Sequence, residues 1–225
     1  MSAASHIRRF AIGDIHGCIL TFKKLLKKID LQPSDSLYVL GDMIDRGPNS
    51  SAVLDIIIKL KEKGYNIFPL KGNHEQMLLN ALDDSPERIH SYLRFFNSAD
   101  LLNKKGNIKR KYINLLSSLP LYIELNDFIL VHASLDLTSE DIFENKEFML
   151  YSKYHRGNVS KLKNKRLVHG HAVFDLKTIE NNIKSGSVII GIDNGCVYHG
   201  RHKGIGKLVC LDLDSMKLTT QTFCG

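Results

Sequence analysis

Apolar positions along the chain alternate between two rhythms. Short runs from Arg8 to Ile12, Ser36 to Leu40 and Asn66 to Leu70 are compact and apolar, as buried strands are. Between the first two, Ile19, Leu20, Phe22, Leu25, Leu26 and Ile29 recur at helical spacing, with Lys23, Lys24, Lys27 and Lys28 on the other face. Ser51 to Lys63 repeats the pattern, turning Val53, Leu54, Ile57, Ile58 and Leu60 inward before Gly64 ends it. A further helical stretch starts just beyond Leu70. Strand, loop and helix in threefold succession predict a βαβαβ unit with right-handed crossovers and a mainly parallel segment of sheet. The polar loop after each strand then lies at the sheet's carboxyl edge, where ligands bind in open α/β sheets.

From Ser85 to about Ser118 the pattern is helical and more polar, an excursion at the side of the sheet with Tyr92, Leu93, Phe95 and Phe96 expected to face inward. Lys104, Lys105, Lys109, Arg110 and Lys111 form a basic run, read first as a solvated face and second as a substrate-steering surface. Leu121 to Leu125 and Phe128 to Val131 flank Asn126-Asp127 as a hairpin. Lys153 to Arg166 is a polar, basic loop or short helix, and Leu167-Val168 leads into His169-Gly170-His171. Ser187 to Ile192, Gly206 to Leu213 and Lys217 to Phe223 read as closing strands without intervening helices, which predicts antiparallel pairing in a second sheet. With no repeat, low-complexity segment or linker, the expectation is a single domain over residues 1–225.

Composition narrows the partners more than the fold. The 225 residues are 43% hydrophobic and 24% charged with a mean hydropathy of −0.14, an ordinary globular balance. A net charge of +7 and a pI near 9.1 favour anionic partners. No run approaches the roughly 18 apolar residues that span a bilayer, and the N-terminal MSAASHIRRF lacks the apolar core of a secretory signal. Cys18, Cys196, Cys210 and Cys224 form no CxxC pair and are read as reduced thiols of a cytoplasmic protein.

Five strand ends carry polar clusters: Asp14/His16, Asp42/Asp45/Arg46, Asn73/His74, His132 and His169/His171. Each alone is ordinary turn chemistry. Together they offer Asp, His and Asn, the donors that suit manganese, iron or zinc, and the absence of cysteine argues against a structural zinc. An Asp able to bridge two ions would suit a two-metal centre.

The segments GDIHG (Gly13 to Gly17), GDMIDRG (Gly41 to Gly47), GNHE (Gly72 to Glu75), VHA (Val131 to Ala133) and HGH (His169 to His171) resemble, in order and spacing, the phosphoprotein phosphatase family of calcineurin-like metallophosphoesterases. Ile192 to Cys196 is similar to a later element of bacterial members. The resemblance implies an α/β fold, a central β-sandwich of two mixed sheets flanked by helices. It implies that Asp14, His16 and Asp42 bind one metal, and that Asp42 bridges to a second held by Asn73, His132 and His171. A metal-bridging hydroxide would attack phosphorus, His74 oriented by Asp45 would protonate the leaving group, and Arg46, Arg156 and Asn73 would bind the phosphate. His169, His199 and His202 receive no role. Departures fall at Ser134, where glycine is usual, at Ala172-Val173, where Thr-Pro is common, and at Asn194, where threonine is frequent. They touch the substrate rim and none of the ligands.

The implied activity is a manganese-dependent phosphomonoesterase, foremost a serine/threonine protein phosphatase. The alternatives are a symmetrical diadenosine tetraphosphate hydrolase and a phosphatase acting on phosphotyrosine. A cysteine-dependent phosphatase needs Cys-x5-Arg, yet Lys24 follows Cys18 and His202 follows Cys196 at that offset. No nucleic-acid-binding signature accompanies the basic runs.

Overall fold

The computed structural model describes residues 7–225, so the reading of the N-terminus as free of a signal segment falls partly outside the described residues. Strands β1 (Arg9–Ile12), β2 (Ser36–Val39) and β3 (Asn66–Pro69) pair in parallel, Phe10 opposite Leu37 and Leu37 opposite Ile67. Helices α1 (Ile19–Lys28) and α2 (Ser50–Glu62) make the crossovers, and α3 (Asn73–Asp84) follows β3. The side-chain alternation of a strand places the two cores. Phe10, Ile12, Leu37 and Val39 pack with Phe22, Leu25, Leu54 and Ile57 of the helices. Ala11 and Tyr38 point to the other side of the sheet.

That other side meets a second sheet of β4 (Tyr122–Glu124), β5 (Phe128–Val131), β8 (Arg166–His169) and β9 (Ile189–Gly191), in that order. Phe128, Leu130, Val168 and Ile190 share the inter-sheet core with Ala11, Tyr38, Val209 and Leu211. Ile129, Val131 and Leu167 face the opposite way, onto Leu135, Met149 and Leu162. A sandwich of two mixed sheets flanked by helices results. Arg9 ties its layers at one end, donating to Asp127 in the β4–β5 turn and to Asp214 at the end of the first sheet.

Two sequence expectations give way here. The late strands do not form an antiparallel second sheet. β10 (Lys207–Asp212) and β11 (Leu218–Thr222) are antiparallel but join the first sheet, in the order β11-β10-β1-β2-β3. β9 pairs in parallel with β8 through a helix, α7 (Leu176–Lys184), that the sequence reading passed over. Leu176, Ile179 and Ile183 turn that helix toward the inter-sheet core, and Asp175 caps it at Thr178. The excursion is helical as expected, with α4 (Pro86–Phe95) and α5 (Arg110–Ser117), but Phe95 is 81% exposed rather than inward. In the basic run, Lys104 and Lys105 are solvated and Lys111 pairs with Asp55.

A short helix α6 (Lys146–Tyr151) and a two-stranded pairing of β6 (Asp136–Leu137) with β7 (Arg156–Gly157) lie between β5 and β8. Among the described residues no helix is long and apolar enough to cross a membrane. All four cysteines are free thiols.

Candidate active site

The loops after β1, β2, β3, β5 and β8 converge at the carboxyl ends of the parallel strands. Their glycines permit the approach. A Cβ at Gly72 would stand 2.2 Å from Asp42 Oδ1, and one at Gly170 2.2 Å from Asp14 Oδ1. The functional side chains themselves sit on strained backbone: His16, Asp42, Asp45, Arg46 and His171 all have positive φ, between 45° and 74°. Such conformations cost on the order of 1–3 kcal/mol each and persist where the surroundings over-determine them. Much of that determination comes from Glu75, whose buried carboxylate accepts from the backbone N–H groups of Gly72 (2.8 Å), Asp42 (2.9 Å) and Met43 (2.8 Å).

The six expected metal ligands are brought together. His16 Nε2 lies 3.5 Å from Asp42 Oδ2 and 3.9 Å from Asp14 Oδ2. His132 Nε2 lies 3.5 Å from Asp42 Oδ1, 3.0 Å from Asn73 Oδ1 and 3.2 Å from His171 Nδ1. Asp42 thus presents one oxygen to each group, as a bridging ligand must. Backbone carbonyls fix the ring tautomers: Nδ1 of His16 donates to Ile44 O, Nδ1 of His132 to Leu40 O and Nε2 of His171 to Tyr151 O. The nitrogens left facing the cluster carry lone pairs.

Electrostatics test whether cations fit this donor set. Asp14, Asp42, Glu75 and Asp193 are all buried, and loss of solvation pushes each carboxyl upward, with neighbouring carboxylates adding to the rise at Asp14, Asp42 and Glu75. Burial lowers His132 and His171 to about 4, so both are neutral at pH 7. Carboxyls whose negative charge burial disfavours, beside converging imidazole lone pairs, are the environment that divalent cations stabilise, and the residues fit them.

His74 and Asp45 are fully buried and joined through His74 Nδ1 and Asp45 Oδ2 at 2.6 Å. His74 Nε2 is buried with no partner among the described residues, and a ring nitrogen of His74 lies within 4.8 Å of ligand atoms of His16 and Asp42. Burial, then Arg46 and the neighbouring imidazoles, pushes His74 down to about 2, while burial raises Asp45 to about 6. Sequence reasoning missed what holds Asp45. Tyr92 of α4 donates to its Oδ2 and Ser98 to its Oδ1, and Arg46 N donates to Phe96 O at 2.7 Å. The helical excursion is a brace for the second loop.

The two expected arginines part company. Arg46 Nη1 lies 2.6 Å from His16 Nε2, and its guanidinium stands 5.7 Å from the Tyr198 ring centroid. Arg156 is not brought to the cluster. It makes a two-pronged pair with Asp136, at 3.0 and 2.5 Å, and packs on Phe148, with its side chain 60% exposed. The cationic residue that does line the cleft beside Arg46, His171, Asp193 and Tyr198 is Lys153, with Tyr154 next to it. Asp193, from the segment after β9, is the other residue with no role in the sequence reading; it is buried and accepts from Gly195 N at 2.7 Å.

A two-sheet sandwich with carboxylate, imidazole and amide donors clustered at its strand ends is an arrangement able to hold divalent cations. Residues 7–214 match the calcineurin-like phosphoesterase family, and the chain belongs to it. It is 28% identical over 225 residues to the asymmetrical bis(5'-nucleosyl)-tetraphosphatase PrpE of Bacillus velezensis, covering 86% of each chain. Over 73 residues it is 49% identical to a symmetrical bis(5'-nucleosyl)-tetraphosphatase of Acidovorax sp., which is 32% of this chain and spans 25% of that relative's length. A crystal structure provisionally assigned as a diadenosine tetraphosphatase superposes with a TM-score of 0.70 at 20% identity, covering 99% of this chain and 96% of that one, a likeness of fold.

Proposed function

We propose that the chain hydrolyses dinucleoside tetraphosphates with the help of two divalent cations. The observation that carries this reading is the cleft of about 390 Å3 beside the cluster, whose lining includes two cations, Arg46 and Lys153, and the rings of Tyr154, Phe174 and Tyr198. A phosphoserine needs a slot for one phosphate. A lining that combines guanidinium, ammonium and aromatic groups suits a polyphosphate chain that carries bases. The similarity along most of the chain to the asymmetrical tetraphosphatase of B. velezensis supports the same substrate class. The protein-phosphatase reading suggested first by the family resemblance has less behind it.

In this reading Asp14, His16 and Asp42 hold one cation, and Asp42, Asn73, His132 and His171 hold the other. Manganese is the first candidate, and iron and zinc suit the same donors. Such cations supply positive charge to phosphoryl oxygens and lower the pKa of water. Arg46 meets the phosphoryl oxygens with its planar fork. Asp45 fixes His74 with its proton on Nδ1, so a proton delivered to the leaving group must be taken up at Nε2. Burial and Arg46 oppose that uptake; a polyanionic substrate favours it. Free thiols and the absence of a spanning helix among the described residues accord with a cytoplasmic setting.

The test is a side-by-side rate comparison of diadenosine tetraphosphate, a phosphoserine peptide and a phosphotyrosine peptide with manganese. Two ADP would mark symmetrical cleavage, and AMP with ATP asymmetrical cleavage. Turnover of a peptide while the dinucleotide stays intact would sink the reading. Activity that survives prolonged chelation would remove the metals from it.

A further inference from the structure

Three features remain without a role: His169, Ser134 in place of the usual glycine, and Asn194 in place of threonine. They meet at one place. His169 and Ser134 line a second cleft, of about 610 Å3, that shares Lys153, Tyr154 and Phe174 with the cleft beside the metal ligands. Asn194 holds the common wall. Its Nδ2 donates to Phe174 O at 2.8 Å while Phe174 N donates to Asp193 O at 2.9 Å, so the backbone that carries the ring is held on both sides. Gly191 makes room for it: a Cβ there would lie 2.5 Å from Phe174 Cε2 and 3.0 Å from His169 Cε1.

The chemistry of the second cleft differs from that of the first. Its walls include Phe174, Val188 and Val159, and the two valines are 40% and 41% exposed, apolar surface left open in a concavity. Polar side chains, among them Ser134, His155, His169, Asn182 and Ser187, complete the lining. Nδ1 of His169 donates to Gly170 O at 2.9 Å, so Nε2 is an acceptor. The Asn182 side chain has no hydrogen-bond partner among the described residues, only its carbonyl being used, by Ser187 N and Ser185 Oγ. A ring-sized apolar slot with a carboxamide and an imidazole acceptor matches a base that presents an amino group beside a ring nitrogen, the pair that asparagine reads on adenine. Size agrees, since small-molecule sites run to about 300–1,000 Å3.

We propose that this second cleft, between β9 and α7 and separated from the metal-ligand cluster by Phe174 and Tyr154, is a subsite for an adenine nucleoside. It takes one end of the dinucleotide, with Lys153 at the junction meeting the polyphosphate that runs between the two clefts. The assignment rests on the dinucleotide reading for its biological ligand, though the subsite is testable without it.

The probe is adenosine, which carries no phosphate and does not need the metals. Titrated to millimolar concentration into the protein, it should shift the His169 ring and Asn182 side-chain NMR resonances saturably. Asn182→Trp, which fills the slot, should abolish the shifts and raise KM for diadenosine tetraphosphate at least tenfold while kcat changes less than twofold. Val188→Trp is the second variant should the first melt at a lower temperature than the wild type. No shift at millimolar adenosine, or shifts confined to Tyr198, would overturn the subsite. So would an unchanged KM in both tryptophan variants. If wild type binds adenosine at His169 but leaves the dinucleotide intact, the subsite stands and the proposed substrate falls. If the dinucleotide is cleaved without any adenosine shift, the reverse holds.

Discussion

The loops after β1 to β3 hold the cluster, the rim segment 151–159 borders it only through residues such as Lys153 and Tyr154, and the two are built in opposite ways. In the loops, the side chains of His16, Asp42, Asp45 and Glu75 are buried, the backbone is forced to positive φ at His16, Asp42, Asp45 and Arg46, and Glu75 alone engages four backbone N–H groups. At the rim, Tyr154 is 79% exposed and Lys153, His155 and Arg156 are solvated. A centre that must present oxygen and nitrogen lone pairs in fixed positions cannot tolerate rotamer freedom. A rim that selects among substrates needs only chemistry and reach. The contrast predicts that substitutions in the loops act on turnover and metal content, and that substitutions at the rim act on substrate choice.

The sharpest break of that comparison is at Asp42, the residue presenting an oxygen to both ligand groups. Asp42→Asn should lower metal content and turnover together, by on the order of 10³-fold, since several kcal/mol of charge stabilisation are lost at about 1.4 kcal/mol per tenfold. Metal analysis alongside kinetics checks it; full metal occupancy with normal turnover would mean the buried carboxylate is structural only.

His74→Asn comes next. General acid–base residues contribute roughly 10²–10⁴-fold, so turnover should fall by at least about 10² with metal content intact. The loss should be larger for an alkyl phosphate, whose alkoxide needs a proton to leave, than for diadenosine tetraphosphate, whose leaving group is itself a phosphate. His74 stands within ligand distance of His16 and Asp42, so geometry by itself does not separate acid from ligand. Loss of metal in His74→Asn would assign it as a ligand.

Tyr92→Phe is a smaller cut. It removes one donor to Asp45 and leaves Ser98 and the His74 pair. A hydrogen bond to a charged group is worth about 1.5–3 kcal/mol, and with the remaining donors sharing the load the fall in kcat should be about tenfold, with KM unmoved. A tyrosine that merely packs would change thermal stability and leave kcat alone.

These residues also show what could be read from the chain. Asp14, His16, Asp42, Asn73, His132 and His171 come together as the sequence expected because each follows an apolar strand at the same edge of the sheets, whereas the close approach that Gly72 and Gly170 permit had no signal in the sequence reading. Tyr92 and Ser98 were not legible either, since a donor to a buried carboxylate has no period and no neighbouring motif. Helix α7 escaped notice because its apolar contribution is three residues in nine, Leu176, Ile179 and Ile183, among polar ones. Phe95 continues the apolar cluster in sequence yet lies on the outer side of α4, next to a cleft of about 940 Å3.

Arg156 is the smallest effect and the clearest measure of the rim. In sequence it stands where a second phosphate-binding arginine is expected; in the fold, Asp136 holds it from the paired strand β6. Arg156→Ala should leave turnover of a generic aryl phosphate within about twofold, whereas Arg46→Ala should cost roughly tenfold or more through lost charge-assisted contacts. Its signature lies in acid stability instead. The Arg156 guanidinium, followed by the Thr138 hydroxyl, holds the Asp136 carboxyl well below the usual carboxylate range. A carboxyl lowered by folding contributes stability that is present above its unfolded pKa of about 4 and is lost as pH falls toward the folded value. Melting temperatures taken between pH 7 and pH 3 should therefore converge: the variant melts lower at pH 7, and the difference shrinks through and below about pH 4. A constant difference across that range would mean that Arg156 acts by packing on Phe148 and not through its pair with Asp136.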